Sequence, residues 1–187
     1  MNGIDDLIQD AIRRMDKSVE TTQHEFNSIR TGRASAALLD HVAVEYYGTP
    51  TPLNQLATIN VPEPRMLTVQ PFDPSSLKAI EKAIMESDLG LTPSNDGKII
   101  RLPIPQLTEE RRKDLVKVVR QRAEDGRVAV RNVRRDLMKH LEELVRNGQV
   151  GDDEERRAEE RAQKLTDEHV HKIDELLKRK EAEILEV

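Results

Sequence analysis

Basic residues are concentrated in one segment, and their type and spacing suit the binding of a polyanion. Between Arg111 and Arg135 there are 10 lysines and arginines against 3 acidic residues, although the whole chain has a net charge of -5. At about 100° per residue, a helix places Arg127, Arg131 and Arg134 with Arg135 on one face beside its apolar stripe. The guanidinium group of arginine matches phosphate oxygens. The segment therefore indicates either a polyanion-binding surface or arginines that pair with acidic residues of another helix.

The few aromatic residues restrict the kind of polyanion. Phe26, Phe72, Tyr46 and Tyr47 are the only aromatic side chains, so no row of rings is available to stack single-stranded bases. An aromatic motif typical of RNA-recognition sheets is also missing. The sequence therefore favours recognition of the backbone and shape of a folded RNA.

No group of residues predicts catalysis. His169 and His171 are two residues apart, which places them on different faces of a helix and makes a shared metal ion unfavourable. The acids between Asp152 and Glu155 suit a helix start. The chain has no cysteine and neither a GxxxxGK[ST] nor a GxGxxG motif. We therefore expect a protein that is not an enzyme and that needs no metal or cofactor.

The composition also bears on location. No apolar run approaches the ~20 residues that cross a membrane, and the first residues do not have the pattern of a signal peptide. These features predict a protein without a membrane partner, and a cytoplasmic location is compatible with them.

Three long amphipathic helices are predicted from apolar residues at steps of three and four. The first begins near Ile4 and is expected to stop at Gly32. The second begins after Thr108, a plausible cap, and runs to about Asn147 and Gly148. The third begins at Asp152, which with Glu155 resembles a capping box. The predicted stripe of the second helix is Val116, Val119, Ala123, Gly126, Val130, Val133, Leu137 and Leu144. At Gly126, close packing and a local bend are both open alternatives.

Residues 33–104 have a different pattern, with short alternating segments that predict β-strands. Val42, Val44 and Tyr46 alternate with polar or small residues before the turn-rich YGTPTP, and further strands are predicted around Ile59, Val69 and IIRLP. Asp73 followed by Pro74 predicts the start of the one helix in this region.

The fold class expected from these elements is α+β, with an antiparallel three-helix bundle and a small inserted domain. The predicted bundle contains residues 1–31 and 106–187, and the inserted domain contains 32–105. Two connections join them and predict a hinge. The hinge residues are Arg30, Thr31, Gly32, Pro103, Ile104 and Pro105.

Several long motifs resemble the bacterial ribosome recycling factor family. They are RTGRASAALLDHVAVEYYGTPTPLNQLA, DLGLTP, LTEERRKDLVKVVRQRAEDGRVAVRNVRRD and QKLTDEHVHKIDELLKRKEAEIL. The resemblance covers essentially the whole chain. It implies a three-helix bundle with an inserted β/α/β domain on a two-stranded hinge. It also implies a monomeric translation factor that disassembles the post-termination ribosome together with elongation factor G and its GTP hydrolysis.

The resemblance further implies which residues meet which partner. The bundle is expected to bind the rRNA of the large ribosomal subunit, with Arg131 and Arg134 as the matching RNA-contacting residues and Arg127 and Arg135 as weaker candidates. The inserted domain is expected to contact elongation factor G. A helical adaptor or chaperone-like protein, whose charges only keep it dissolved, is the alternative function.

Overall fold

The computed structural model describes residues 3–186, which form ten helices and strands and three single turns of 3-10 helix. The helices and strands are α1 Ile4–Asn27, β1 Ala43–Tyr46, β2 Thr49–Pro52, β3 Ala57–Glu63, β4 Met66–Pro71, α2 Leu77–Met85, β5 Ser94–Asn95, β6 Ile100–Pro103, α3 Glu109–Arg146 and α4 Asp152–Leu185. The 3-10 turns cover Ala36–Leu39, Leu53–Gln55 and Pro74–Ser76. The expected α+β class, with long packed helices and a small sheet domain, is confirmed.

The chain divides into two compact units. The helical unit contains the described residues up to Ile29 and those from Lys113 to Glu186. The inserted unit runs from Arg30 to Arg112, so it is longer at both ends than the predicted domain 32–105. The partner assigned to each domain stays a prediction.

Each long helix buries one apolar stripe inside the helical unit. Ile8 and Met15 of α1, Val130 and Leu141 of α3, and Ile173 of α4 are fully buried. The central residues of the predicted apolar stripe of α3 are confirmed as buried. The first and last buried residues are Leu115 and Leu141 rather than Val116 and Leu144. An α-helix has 3.6 residues per turn, so the buried face drifts over a helix of this length.

Ion pairs give the relative directions of these helices. Arg120 pairs with Glu181 and Arg127 with Asp174, so residue numbers rise along α3 as they fall along α4. Residue numbers also run in opposite directions along α1 and α3, because Arg14 pairs with Asp136 and Glu25 pairs with Arg122. The second long helix is therefore antiparallel to the other two.

Two predicted helix ends are wrong. α1 ends at Asn27, where the amides of Ser28 and Ile29 close a tight last turn, and Gly32 lies beyond it with φ +79°. A side chain at Gly32 would lie 3.1 Å from Leu107 Cγ, so this glycine serves a close approach between two chain segments. At α4, Gly151 is the N-cap and Asp152 is already helical, so no capping box forms.

The other predicted ends agree with the structure. Thr108 Oγ1 accepts a hydrogen bond of 3.1 Å from the Arg111 amide at the start of α3. At its end, Gly148 has φ +73°, and the amides of Gly148 and Gln149 donate to Val145 and Leu144. This pair of bonds is a Schellman motif, which satisfies carbonyls that the helix leaves free.

The inserted unit contains a two-stranded hairpin and a four-stranded antiparallel sheet. The hairpin is β1–β2, and the sheet has the order β3-β4-β6-β5. The sequence did not predict β2, because its TPTP segment resembles a turn. Prolines are tolerated there since β2 pairs only with β1, leaving the other edge without ladder bonds among the described residues. Asp73 caps the following helical turn as predicted, with Oδ1 2.9 Å from the Ser75 amide.

The SNDG segment, residues 94–97, leads from β5 towards β6 and gives a pH-dependent prediction for the inserted unit. Asp96 accepts hydrogen bonds from the amides of Ile99 and Lys98 and from Arg101, which together lower its pKa to about 2. A lowered carboxyl pKa adds stability above its ordinary value of 3.8, and this stability is lost as pH falls from about 4 to about 2.

We expect the protection of the Lys98 and Ile99 amides, measured as the intrinsic exchange rate divided by the observed rate at the same pH, to fall as the pH is lowered across this interval. Asp96→Asn keeps an acceptor oxygen but has no charge to lose. Its two amides should therefore lack this additional acid dependence. Equal acid dependence in both proteins would show that the carboxylate does not stabilise the turn.

Candidate nucleic-acid interface

The predicted binding residues lie along α3, and its buried stripe determines which way they face. Val130 and Val133 point into the helical unit, so residues between and beside them reach the surface. Arg131 and Arg135 are exposed, and Arg127 and Arg134 are half-buried. The four predicted arginines therefore differ in how freely they can meet a ligand.

Arg127 connects α3 to α4. Its Nε is 2.7 Å from Asp174 Oδ1 and its Nη1 is 3.1 Å from Glu124 Oε2, and only 18% of its side chain is exposed. Burial opposes the charge of Arg127, but the two carboxylates outweigh it and raise the pKa of the guanidinium. Arg120 makes a similar contact, with Nε 2.6 Å from Glu181 Oε1. Both residues therefore pair with the acidic third helix.

Arg134 also faces α4 but contacts an amide. Its Nη1 donates to Gln163 Oε1, and its Nε is buried without a hydrogen-bond partner among the described residues. An amide has no net charge, so the positive charge of Arg134 is not offset by its partner. This difference from Arg127 could not be seen in α3 alone.

Arg131 and Arg135 present their charge to solvent. Half of the Arg131 side chain is exposed, and its Nη1 is 3.5 Å from Glu124 Oε1, at the limit of a hydrogen bond. Arg135 donates to the neutral oxygen of Asn132 at 2.7 Å. Together with Arg134 they form a basic patch within about one and a half turns of helix. We call Arg131, Arg134 and Arg135 the arginine patch.

The predicted hinge residues lie in the inserted unit. Pro103 is in β6, opposite Met66, and the Ile104 amide donates to Arg65 O at 2.8 Å. Arg30 donates to Leu89 O at 2.8 Å, also inside this unit. Thr31 is buried, and Gly32 and Pro105 belong to the same unit. Their function as a hinge stays a prediction.

The histidines have structural surroundings. His169 is buried on α4, with Nδ1 2.6 Å from Leu165 O and Nε2 2.7 Å from Asp16 Oδ1 of α1. His171 lies on a different face and is exposed. Within residues 3–186, no three His, Cys, Asp or Glu residues converge in a way that would hold a metal ion. Among the same residues, no helix is long and apolar enough to span a membrane.

The sequence did not predict Gln163, the α4 partner of Arg134. It did contain a signal for the pairing of α3 with α4, because Asp174 and Glu181 are seven residues apart, as are Arg120 and Arg127. Matching heptad spacings in two helices indicate side chains that meet across an antiparallel pair. The two segments lie about 30 to 60 residues apart, so only the fold shows their register.

The chain is similar to known proteins along its whole length. A family model described as "Ribosome recycling factor" matches residues 22–185. The ribosome-recycling factor of Rubrobacter xylanophilus is 57% identical over 187 residues, covering 100% of both chains. That of Geobacillus kaustophilus is 56% identical over 181 residues, covering 97% of this chain and 98% of the relative.

Two solved structures are also similar. A solution structure of a ribosome recycling factor has a TM-score of 0.79 and 43% identity, and the match covers 100% of both chains. The T. thermophilus ribosome recycling factor, in models with E. coli elongation factor G bound to the E. coli post-termination complex, has a TM-score of 0.67 and 52% identity. This match again covers 100% of both chains. With relatives above 50% identity along its full length, the chain belongs to the ribosome recycling factor family.

Proposed function

We propose that this protein is a translation factor that disassembles the post-termination ribosome. It acts with elongation factor G and the GTP hydrolysis of that partner, and it releases subunits, mRNA and tRNA for another round. The observation that carries the proposal is the full-length similarity to ribosome recycling factors, including one bound with elongation factor G to a post-termination complex. The protein has no catalytic role of its own in this proposal, requires no cofactor and acts in the cytoplasm as a monomer.

The helical unit binds the large ribosomal subunit through the arginine patch. Arg131, Arg134 and Arg135 offer guanidinium groups that no carboxylate of α4 neutralises, and phosphate oxygens are strong acceptors for them. Arg127 contributes less, because Asp174 and Glu124 already use its donors. The rigid rod of α3, about 57 Å long at 1.5 Å per residue, supports the patch.

The inserted unit contacts elongation factor G. Exposed aromatic residues support a protein partner, since they are enriched among residues that dominate binding between proteins. Tyr47 is 84% exposed and Phe72 is 66% exposed. Tyr46 links them, because its ring packs against Tyr47 and its hydroxyl donates to Asp73, which follows Phe72. Tyr47 also has φ +50°, an unusual conformation that holds it at the tip of the β1–β2 hairpin.

Movement of the inserted unit drives disassembly. Elongation factor G pushes this unit, the segments at Arg30–Gly32 and Pro103–Pro105 act as the hinge, and the helical unit transmits force to contacts between the ribosomal subunits. Helices packed along a continuous apolar stripe resist bending, which suits this role.

Light scattering of post-termination ribosomes tests the proposal. With matched elongation factor G and GTP, we expect the protein to lower the scattering as 70S particles split, and to have no such effect when GTP is omitted. Tyr47→Ser/Phe72→Ser should bind large subunits like the wild type but split ribosomes more slowly. If this variant splits ribosomes at the same rate as the wild type, the two aromatic residues do not contribute to the contact with elongation factor G. No splitting by the wild type would favour the adaptor alternative, which also predicts partner binding without RNA.

A further inference from the structure

Three arginines of α3 face α4 at intervals of seven residues. They are Arg120, Arg127 and Arg134, and seven residues advance an α-helix by almost two full turns. At the first two positions Nε donates to a carboxylate of α4, Glu181 at 2.6 Å and Asp174 at 2.7 Å. As the arginine number rises by seven, the number of its partner falls by seven. The next α4 residue in this series, opposite Arg134, is Asp167.

The contact at Arg134 departs from this series. Arg134 Nη1 donates to Gln163 Oε1, and Gln163 Nε2 donates to Asp167 Oδ1 at 2.9 Å. The Nε of Arg134, which is the atom used for pairing at the other two positions, is buried without a partner among the described residues. Gln163 therefore lies between the arginine and the carboxylate that the register places opposite it.

A neutral amide can make both contacts. Arginine can only donate hydrogen bonds, and an ionised carboxylate can only accept them, whereas the glutamine side chain has one group of each kind. The two neighbours therefore also determine the orientation of the amide. A glutamate at this position would form an ion pair with Arg134 and would repel Asp167.

We propose that Gln163 is a positioning residue for RNA binding, which holds Arg134 in place and prevents Asp167 from neutralising it. An arginine paired with a carboxylate presents little net charge to an approaching phosphate, and that pair must be broken before the phosphate can use the same donors. An arginine held by an amide presents its whole charge. This inference rests on the proposed function, because it assigns Gln163 a role only if the arginine patch binds RNA.

Three variants of α4 test the inference in binding to isolated large ribosomal subunits. Gln163→Glu should weaken binding about tenfold, because a carboxylate then occupies Arg134. Gln163→Ala should also weaken binding, because Asp167 can then pair with Arg134 as Asp174 pairs with Arg127. Gln163→Ala/Asp167→Asn should recover most of the lost affinity, since the competing charge is gone. A residue with only a structural role would not give this recovery.

Gln23→Glu is the matched control. Gln23 on α1 also makes an amide hydrogen bond four residues along its own helix, to Asn27 at 2.9 Å, and the substitution changes net charge by the same amount. It should leave binding unchanged. Thermal unfolding of Gln163→Glu should stay close to that of the wild type, because the new ion pair with Arg134 offsets the repulsion from Asp167. A folded variant with weaker binding therefore separates charge from stability.

The outcomes also separate this inference from the proposed function. If Arg131→Ala/Arg134→Ala weakens binding but Gln163→Glu and Gln163→Ala bind like the wild type, the role of Gln163 is wrong and the arginine patch stands. If the Asp167→Asn substitution fails to restore binding to Gln163→Ala, competition by Asp167 is wrong. If the arginine double variant itself binds normally, the proposed RNA contact fails first.

Discussion

Arg131→Ala/Arg134→Ala should bind large ribosomal subunits at least about a hundredfold more weakly than the wild type. A hydrogen bond to a charged group contributes about 1.5–3 kcal/mol, and each 1.4 kcal/mol is about tenfold in affinity, so two lost phosphate contacts account for this change. Splitting of post-termination ribosomes should fall accordingly at limiting protein concentration. Filter binding or pelleting of the subunits measures the affinity, and light scattering measures the splitting.

The variant should remain folded, which makes the result interpretable. Arg131 is half exposed and at the limit of hydrogen bonding to Glu124, and Arg134 contacts only a neutral amide. An exposed ion pair such as Arg131 with Glu124 contributes at most about 1 kcal/mol to stability. Binding should also become less sensitive to salt, because each lost phosphate contact lowers the slope of log affinity against log salt by roughly 0.7–0.9.

Two control variants make this result specific. Arg13→Ala/Arg156→Ala removes the same charge from α1 and α4, where each arginine is exposed and paired within its own helix. It should bind nearly as the wild type does. Arg127→Ala should instead lower stability, because it removes the contact between α3 and Asp174. Normal binding by Arg131→Ala/Arg134→Ala would show that the arginine patch is only a solvated surface.

Gly126→Leu should lower the free energy of unfolding of the helical unit by about 3 kcal/mol or more, at the upper end of the usual cost of overpacking. A Cβ atom at Gly126 would lie 2.3 Å from Thr22 Oγ1 of α1 and 3.1 Å from Ile173 Cδ1 of α4. Thr22 is buried, and its hydroxyl donates to Ser18 O at 2.9 Å, so it cannot move away without losing this bond. Chemical denaturation followed by circular dichroism measures the change.

Gly126→Ala separates helix propensity from packing. Alanine favours a helix by about 1 kcal/mol over glycine, so an exposed position would be stabilised by this change. Here we expect a net loss, since the new methyl group overlaps Thr22. Thr22→Ala should relieve the overlap, so that Gly126→Ala/Thr22→Ala is more stable than Gly126→Ala alone. A Gly126→Ala protein more stable than the wild type would show that the three helices tolerate a methyl group there.

The glycine also illustrates what an isolated segment can indicate. Its place on the apolar stripe left both a bend and close packing open, because helix propensity says only that glycine is unfavourable there. α3 is continuous from Glu109 to Arg146, and both neighbouring helices approach the glycine. Close packing is therefore the correct alternative, and residues far along the chain decide it.

Secondary structure was predicted best where it depends on neighbouring residues. The cap at Thr108, the stop at Gly148 and the cap at Asp73 all involve bonds over two to five residues. β2 was missed because its two prolines have low strand preference, and pairing with β1 stabilises it. The stop at Gly32 was wrong because that glycine serves a contact with Leu107, 75 residues away in sequence.

The sequence by itself determined the amphipathic helices, the alternating strands between them and the excess of positive charge on one face of α3. These features follow from residue spacing, which each helix or strand expresses locally. Only the tertiary structure decided which arginines keep their charge available. Arg127 meets Asp174 and Arg134 meets Gln163 because the packing of α3 against α4 sets their register, and the electrostatic field at a side chain depends on every group brought near it.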